Sequence, residues 1–168
     1  MNIEYKYNKQ MLLMANKNDV SFDNDYAEVR LPKVLKETLQ GGVLEEKYGE
    51  DVYYMLKDSP FCNQIAPNKF EFFYDDLTCN EYSNNKVIFE ISKYDKFTLK
   101  KGISFCHKVS KILPHYHDFC IIMSIDESYV TISFHKIREG ESWLGDDLEA
   151  YKLDSILVMN VRNVYEQE

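Results

Sequence analysis

The run Phe119-Cys120-Ile121-Ile122-Met123-Ser124-Ile125-Asp126-Glu127-Ser128-Tyr129-Val130-Thr131-Ile132-Ser133-Phe134-His135-Lys136-Ile137 reads as two β-strands and their turn. Phe119, Ile121, Met123 and Ile125 form one apolar set, and Val130, Ile132 and Phe134 form another. Successive strand residues point to opposite faces, so each set marks one face of its strand. The two sets share a face when cross-strand partners sum to an odd number. A two-residue turn at Asp126-Glu127 meets that condition. It pairs Ile125 with Ser128, Met123 with Val130, Ile121 with Ile132 and Phe119 with Phe134, and it sets His135 opposite Asp118.

Outward from this hairpin, Ser155 to Val161 reads as a third strand. Its run Ile156-Leu157-Val158-Met159 is apolar on both faces, as a central strand requires. Upstream, Leu99, Ile103, Cys106, Val109 and Leu113 lie at helical spacing, with Pro114 as the stop and Gly102 placing the start after itself. Val87, Phe89 and Ile91 alternate as a strand, as do Phe70, Phe72 and Tyr74. Leu77 to Asn85 reads as a loop. Pro32 suits the first turn of a helix carrying Leu31, Leu35 and Leu39, and Gly41-Gly42 stops it. Leu44, Tyr48, Val52, Met55 and Leu56 then predict a second helix ending at Pro60, hence a helical hairpin. Ile3, Tyr5 and Tyr7 alternate like a strand, and Asn16 to Asp25 is turn-rich. The expectation is one α+β domain over residues 1–168. A helical part at about 31–58 precedes a sheet-rich part at about 68–163. The sheet is mostly antiparallel and packs with the hairpin and one or two further helices.

The chain has 168 residues, 45% of them hydrophobic, enough for a full core in one domain. Its formal charge of -8 excludes a general nucleic-acid binder, since phosphate contacts need clustered Lys and Arg. The charge is uneven: residues 86–111 hold seven Lys against Glu90 and Asp95, a band read as a solvated helix face. No apolar run approaches the length of a membrane span, and the opening residues lack a signal-peptide core. A cytoplasmic location is expected. Cys62, Cys79, Cys106 and Cys120 form no CxxC pair and read as core or half-buried thiols.

Candidate chemistry rests on the histidines and cysteines. His115 and His117 have the spacing of a strand-borne metal pair, but the hairpin register turns His135 to the other face, which disfavours a three-histidine site. Asp118, Cys120 and His135 share the second face and form a loose Cys-His-Asp set. A small metal- or cysteine-dependent hydrolase using His115, His117, Asp118 or Cys120 is therefore one reading. No phosphate-binding, dinucleotide-binding or hydrolase signature accompanies it. The adjacent carboxylates Asp75-Asp76 and Asp146-Asp147 suit turns and helix starts.

The segment Glu139-Gly140-Glu141-Ser142-Trp143-Leu144-Gly145-Asp146-Asp147-Leu148-Glu149 holds the only tryptophan and five carboxylates, with no Lys or Arg. One reading makes Ser142 the N-cap of a short helix with Asp146, Asp147 and Glu149 near its positive end. The other makes Glu139, Glu141, Trp143, Asp146, Asp147 and Glu149 a partner-binding surface, an aromatic anchor ringed by acids. The lysine-bearing helix, Phe119-Cys120-Ile121-Ile122, Val130-Thr131-Ile132-Ser133-Phe134, Ser142-Trp143 with Asp146-Asp147-Leu148-Glu149, and Ile156-Leu157-Val158 together resemble the small acidic immunity proteins of bacterial polymorphic-toxin and contact-dependent growth inhibition systems. That resemblance covers roughly Lys86 to Val161. It implies a non-enzymatic cytoplasmic inhibitor, without cofactor or metal, that occludes a cognate toxin domain, often a basic nuclease. It implies neither direct nucleic-acid contact nor membrane contact. An oligomeric adaptor is the remaining expectation.

Overall fold

The computed structural model describes residues 1–58, 70–91 and 97–163. The strand-forming alternation at Ile3, Tyr5 and Tyr7 gives β1 (Asn2–Tyr7), followed by α1 (Lys9–Lys17) and α2 (Lys33–Gly41). Next come β2 (Val43–Tyr48), β3 (Asp51–Leu56), α3 (Leu77–Asn84), β4 (Val87–Glu90) and α4 (Thr98–Ile112). The chain closes with β5 (Phe119–Ile125), β6 (Tyr129–Lys136), a single 3-10 turn (Leu148–Ala150) and β7 (Ser155–Arg162). Five strands form an antiparallel sheet in the order β1-β7-β5-β6-β4, and β2-β3 is a separate two-stranded sheet. The protein is a single α+β domain, as its alternating and helical patterns predict.

The main sheet is covered on both faces. On one face Ile121, Met123, Ile132, Phe134, Leu157 and Met159 meet the α4 stripe of Leu99, Ile103, Cys106, Val109 and Leu113, with Met11 and Leu35 from the first two helices. On the other, Cys120, Ile122, Ile156 and Val158 lie under Tyr82 of α3 and Trp143, Leu144 and Leu148 of the 139–149 segment. Strand β7 lies between β1 and β5, and seven of its eight residues are buried, which accounts for its two apolar faces.

Five sequence expectations are corrected, among them the strand expected at Phe70, Phe72 and Tyr74. Residues 44–56 form a β-hairpin, not the second half of a helical hairpin. Gly49, at φ +61°, turns the chain between Tyr48 and Asp51, and Val52-Tyr53-Tyr54 is a strand-forming run. The expected stop at Pro60 and the thiol of Cys62 lie outside the described residues. Phe70 to Asp76 is irregular, while Leu77–Asn84, expected as a loop, is helical with Asp76 as its N-cap, accepting from Cys79 N at 2.6 Å. Helix α4 runs through Gly102, where a Cβ would stand 2.5 Å from Met123 Sδ; glycine lets the helix sit down on β5. Finally, the β5–β6 register moves by two. Ile125 pairs with Val130 and Ile121 with Phe134, so the pairing parity and both faces survive. Asp126 causes the shift: its carboxylate accepts from the backbone of Ser128 and Tyr129 at 2.7 Å, which moves the tip to Glu127-Ser128.

Helix α3 joins the two sheets by polar contacts. Seven of its eight residues are buried, and most of these are polar. The Glu81 carboxylate accepts from Tyr54 N of β3 at 2.7 Å and from Lys136 N of β6 at 2.8 Å. Asn85, the C-cap, accepts from Leu56 N at 2.8 Å and donates to Tyr54 O at 2.8 Å and Phe134 O at 3.3 Å. Two side chains thus occupy the strand edges that face each other across the gap between the sheets, where β6 has run past its pairing with β4. Buried charge at Glu81 is matched by Arg138, whose Nη1 and Nη2 reach its two oxygens at 2.7 and 3.1 Å. Arg138 Nε also donates to Asp51 at 2.6 Å, and Lys136 Nζ reaches the same carboxylate. Burial opposes ionisation of Asp51, but these two cations outweigh it and hold its carboxyl well below the usual carboxylate range.

Removing Glu81 leaves two backbone N–H groups without their acceptor and takes from Arg138 its two-pronged carboxylate. The Glu81→Ala variant is expected to lose about 3–5 kcal/mol of stability in urea unfolding; a loss under about 1 kcal/mol would show that the bridge does not hold the sheets together.

Candidate functional site

The 139–149 segment is pinned at both ends by its own acids. Gly140, at φ +76°, turns the chain so that Glu141 Oε2 accepts from Thr78 N, in the first turn of α3, at 2.9 Å. Glu149 Oε1 accepts from Lys9 N, the first residue of α1, at 2.7 Å. Helix starts leave unpaired N–H groups and carry positive partial charge, so both carboxylates are satisfied within the fold. Asp147 caps the 3-10 turn by accepting from Glu149 N at 3.0 Å. Ser142 is not the N-cap expected of it; its hydroxyl donates to Leu144 O at 2.6 Å. Glu139, Asp146 and Asp147 are exposed.

Trp143 is half-buried and lies flat on Tyr82, with ring centroids 4.1 Å apart and planes at 16°. Lys86 Nζ stands 5.5 Å from the Tyr82 ring centre and 5.7 Å from that of Trp143, so this lysine of the basic band covers aromatic surface rather than lying on a plain solvated face. The edge of Trp143 meets Tyr74, at 6.0 Å and 78°. A second aromatic group includes the residues just before Tyr74 in the chain. Phe72 stacks on Tyr48 at 5.0 Å and meets Phe70 at 4.9 Å; Phe70 in turn meets Tyr53 at 4.1 Å. Phe72, Phe73, Tyr74 and Tyr48 remain 49%, 57%, 48% and 54% exposed, a large share for such rings in adjoining segments. Glu46, Glu50 and Asp75 are exposed beside them in sequence, and the Glu141–Thr78 bond brings the Glu139 turn to the same end of α3.

Sequence reasoning finds Trp143 and the acids of this face but misses Tyr48, Phe72 and Phe73. The available signal is the unbroken Phe72-Phe73-Tyr74, which no strand with one wet face explains. Of the six residues expected to bind a partner, the structure leaves Glu139 and Asp146 exposed, while Asp147, also exposed, caps the 3-10 turn. Trp143 presents an edge, and Glu141 and Glu149 serve the helices.

The rival chemistry is dispersed. His115 is exposed, and His117 packs edge-on to Tyr54 and Tyr116 on the α4 side of the sheet. Asp118 accepts from Arg162 Nη1 at 3.0 Å and from Asn163 N at 2.8 Å, and with the observed register it no longer faces His135. Cys120 instead stands between His135 on β6 and Asn160 on β7. All three are buried, at 8%, 4% and 8% exposure, and all line a cavity of about 320 Å³ roofed by the 139–149 segment. Burial pushes the Cys120 thiol up to about 12, slightly offset by Lys6 and Arg162, so the thiolate needed for attack is scarce at neutral pH. Among the described residues, no three His, Cys, Asp or Glu are grouped to hold a metal ion. Likewise, no helix among them is long and apolar enough to cross a membrane.

A model of the family described as Uncharacterized protein PM0498 family matches residues 6–168. The chain belongs to the PM0498 family. That match takes in β2 to β7, α3 and the whole 139–149 segment, so the features above lie inside the family's own domain. No curated protein and no solved structure matches the chain.

A buried thiol reacts slowly. Cys120 in the folded protein is expected to resist iodoacetamide at pH 8 and to be alkylated fully in urea, read site by site by mass spectrometry. Equal rates in both states would restore it as a nucleophile.

Proposed function

We propose that this PM0498-family protein is a cytoplasmic immunity-type inhibitor that binds a basic toxin domain and occludes its active site or substrate groove. The observation that carries the reading is the set of exposed rings Tyr48, Phe72, Phe73 and Tyr74, in which Tyr48 stacks on Phe72 and Tyr74 meets Trp143, with Glu46, Glu50 and Asp75 exposed next to them in the chain. Large rings supply most of the energy of a protein interface when a partner buries them, and carboxylates around them select a basic partner and speed encounter. A net charge of -8 strengthens that steering and suits a surface standing in for the phosphates of a nuclease substrate. Resemblance to immunity proteins over Lys86 to Val161 points the same way.

The roles within the face differ. Phe72, Phe73 and Tyr74 are the expected anchors. Glu139, Asp75 and Asp146 are the expected steering charges, while Glu141 and Glu149 act indirectly by fixing the segment on α3 and α1. The hydrolase reading has no comparable support, since its residues are split between two faces and its thiol is buried.

The test is binding to a basic toxin domain encoded beside this protein's gene, followed by surface plasmon resonance. Phe73→Ala is expected to weaken the complex about tenfold or more, mainly by faster dissociation. The double change Asp75→Lys and Glu139→Lys is expected to slow association about tenfold and flatten its salt dependence. A complex whose kinetics ignore all three changes, or the absence of any complex with such a domain, would overturn the proposal.

A further inference from the structure

The main sheet ends on β1, whose outer side pairs with no other strand among the described residues. All six residues of β1 pair in unbroken register with β7, from Asn2–Arg162 to Tyr7–Leu157, so the strand carries no bulge, and it contains no proline. The opposite edge, β4, is only four residues long. Short strands, bulges and prolines are common protections of a sheet edge, and β1 has none of them. Asn8 continues the ladder, its N–H donating to Ile156 O at 3.2 Å. Backbone groups alternate sides along an antiparallel strand, so Asn2, Glu4 and Lys6 also turn theirs toward β7. Ile3, Tyr5 and Tyr7 turn theirs outward, and among the described residues no backbone group bonds to them there.

The side chains follow the same alternation. Ile3 and Tyr5 pack on the α4 side of the sheet, and Tyr7, still 41% exposed, lies beside Phe22 with ring centroids 4.9 Å apart. Glu4 and Lys6 share the other face, with carboxylate and ammonium 3.9 Å apart and side chains 52% and 58% exposed. A strand added outside β1 must oppose its free groups at Ile3, Tyr5 and Tyr7. When the added strand is a second β1 running antiparallel, charge selects the register. Centred on Tyr5, Glu4 of each copy faces Lys6 of the other, Ile3 faces Tyr7, and Tyr5 faces its own counterpart. Centring the pair on Glu4 sets two carboxylates together, and centring it on Lys6 sets two ammonium groups together. Glu4 and Lys6 occupy the non-hydrogen-bonded positions of this new ladder, where facing side chains come closest. A lysine on an edge strand ordinarily repels a second strand. Here Glu4 supplies the matching charge.

We propose that a second copy of this chain docks on β1, antiparallel and centred on Tyr5, and joins the two five-stranded sheets into one. The contact is two-fold symmetric, so each Glu4–Lys6 pair occurs twice. It also covers the exposed Tyr7 with Ile3 of the second copy. The β2–β3 hairpin stands beside β6, beyond β7 and β5 from this edge. Dimerisation therefore leaves the exposed rings free, and it does not rest on the docking role given to them.

Sedimentation equilibrium of the full chain tests it. The weight-average mass is expected to rise with concentration from 19.9 kDa toward twice that value, and to fall back in strong salt. Glu4→Lys or Lys6→Glu alone sets like charges opposite each other in both symmetry-related pairs, and each is expected to weaken the dimer about tenfold or more. The double change Glu4→Lys with Lys6→Glu makes the pairs opposite in sign again, and is expected to return the dimer to within about threefold of the native constant. Both side chains are more than half exposed, so circular dichroism and Tm of the variants are expected to match the native chain. A chain that stays monomeric at its highest soluble concentration, a dimer indifferent to the single changes, or one that the double change fails to restore would overturn the proposal.

Discussion

The contact on which the rest of this structure depends is the buried Glu81 carboxylate, held between Tyr54 N, Lys136 N and the Arg138 guanidinium. Sheet edges cannot be buried with unpaired N–H and C=O groups. Here a helix supplies the missing partners from its side chains: Glu81 and Asn85 satisfy β3 and β6 together, and the small sheet is locked to the large one. A carboxylate at 0% exposure would be costly on its own, and the two-pronged contact with Arg138 is what makes it tolerable. Arg138 then ties in Asp51 and Val52 O at the start of β3. The position of the β2–β3 hairpin, and with it Tyr48, follows from this network, while Asn80 and Asn84 of the same helix hold the backbone of Glu71, Phe73 and Tyr74.

The acidic segment takes its shape from the same helix. Glu141 docks on the start of α3 and Trp143 on Tyr82 in its middle, so α3 organises both the gap between the sheets and the roof over the second sheet face. A run of five carboxylates is thereby divided. Two neutralise helix starts, one caps a 3-10 turn, and the remaining two, Glu139 and Asp146, are exposed. Composition alone treats them as one charge cluster, and the structure gives them separate physical tasks.

How far such tasks can be read in advance depends on whether burial is apolar. Strands β5, β6 and β7 and the α4 stripe follow directly from their hydrophobic periods, and the parity rule places both hairpin faces correctly even though Asp126 shifts the register by two. Helix α3 is buried through Thr78, Asn80, Glu81 and Asn84, so it has no apolar stripe and resembles a polar loop. Residues 44–56 fail differently. Leu44, Tyr48, Val52 and Met55 meet a helical spacing by coincidence, and the deciding signal is the glycine turn at Gly49. In the site, Trp143 and the acids stand out by composition. His135, Cys120 and Asn160 do not, because only the cross-strand register brings them into one row.

If α3 makes the two sheets one cooperative unit, the amides it binds must open only with the whole molecule. Native-state hydrogen exchange at Tyr54, Leu56 and Lys136 measures this directly. The account predicts that all three N–H groups exchange with the same opening free energy as the centre of β5, at Ile121 and Met123. Exchange of Tyr54 and Leu56 in a separate, much easier opening, while Lys136 and β5 stay protected, would contradict it.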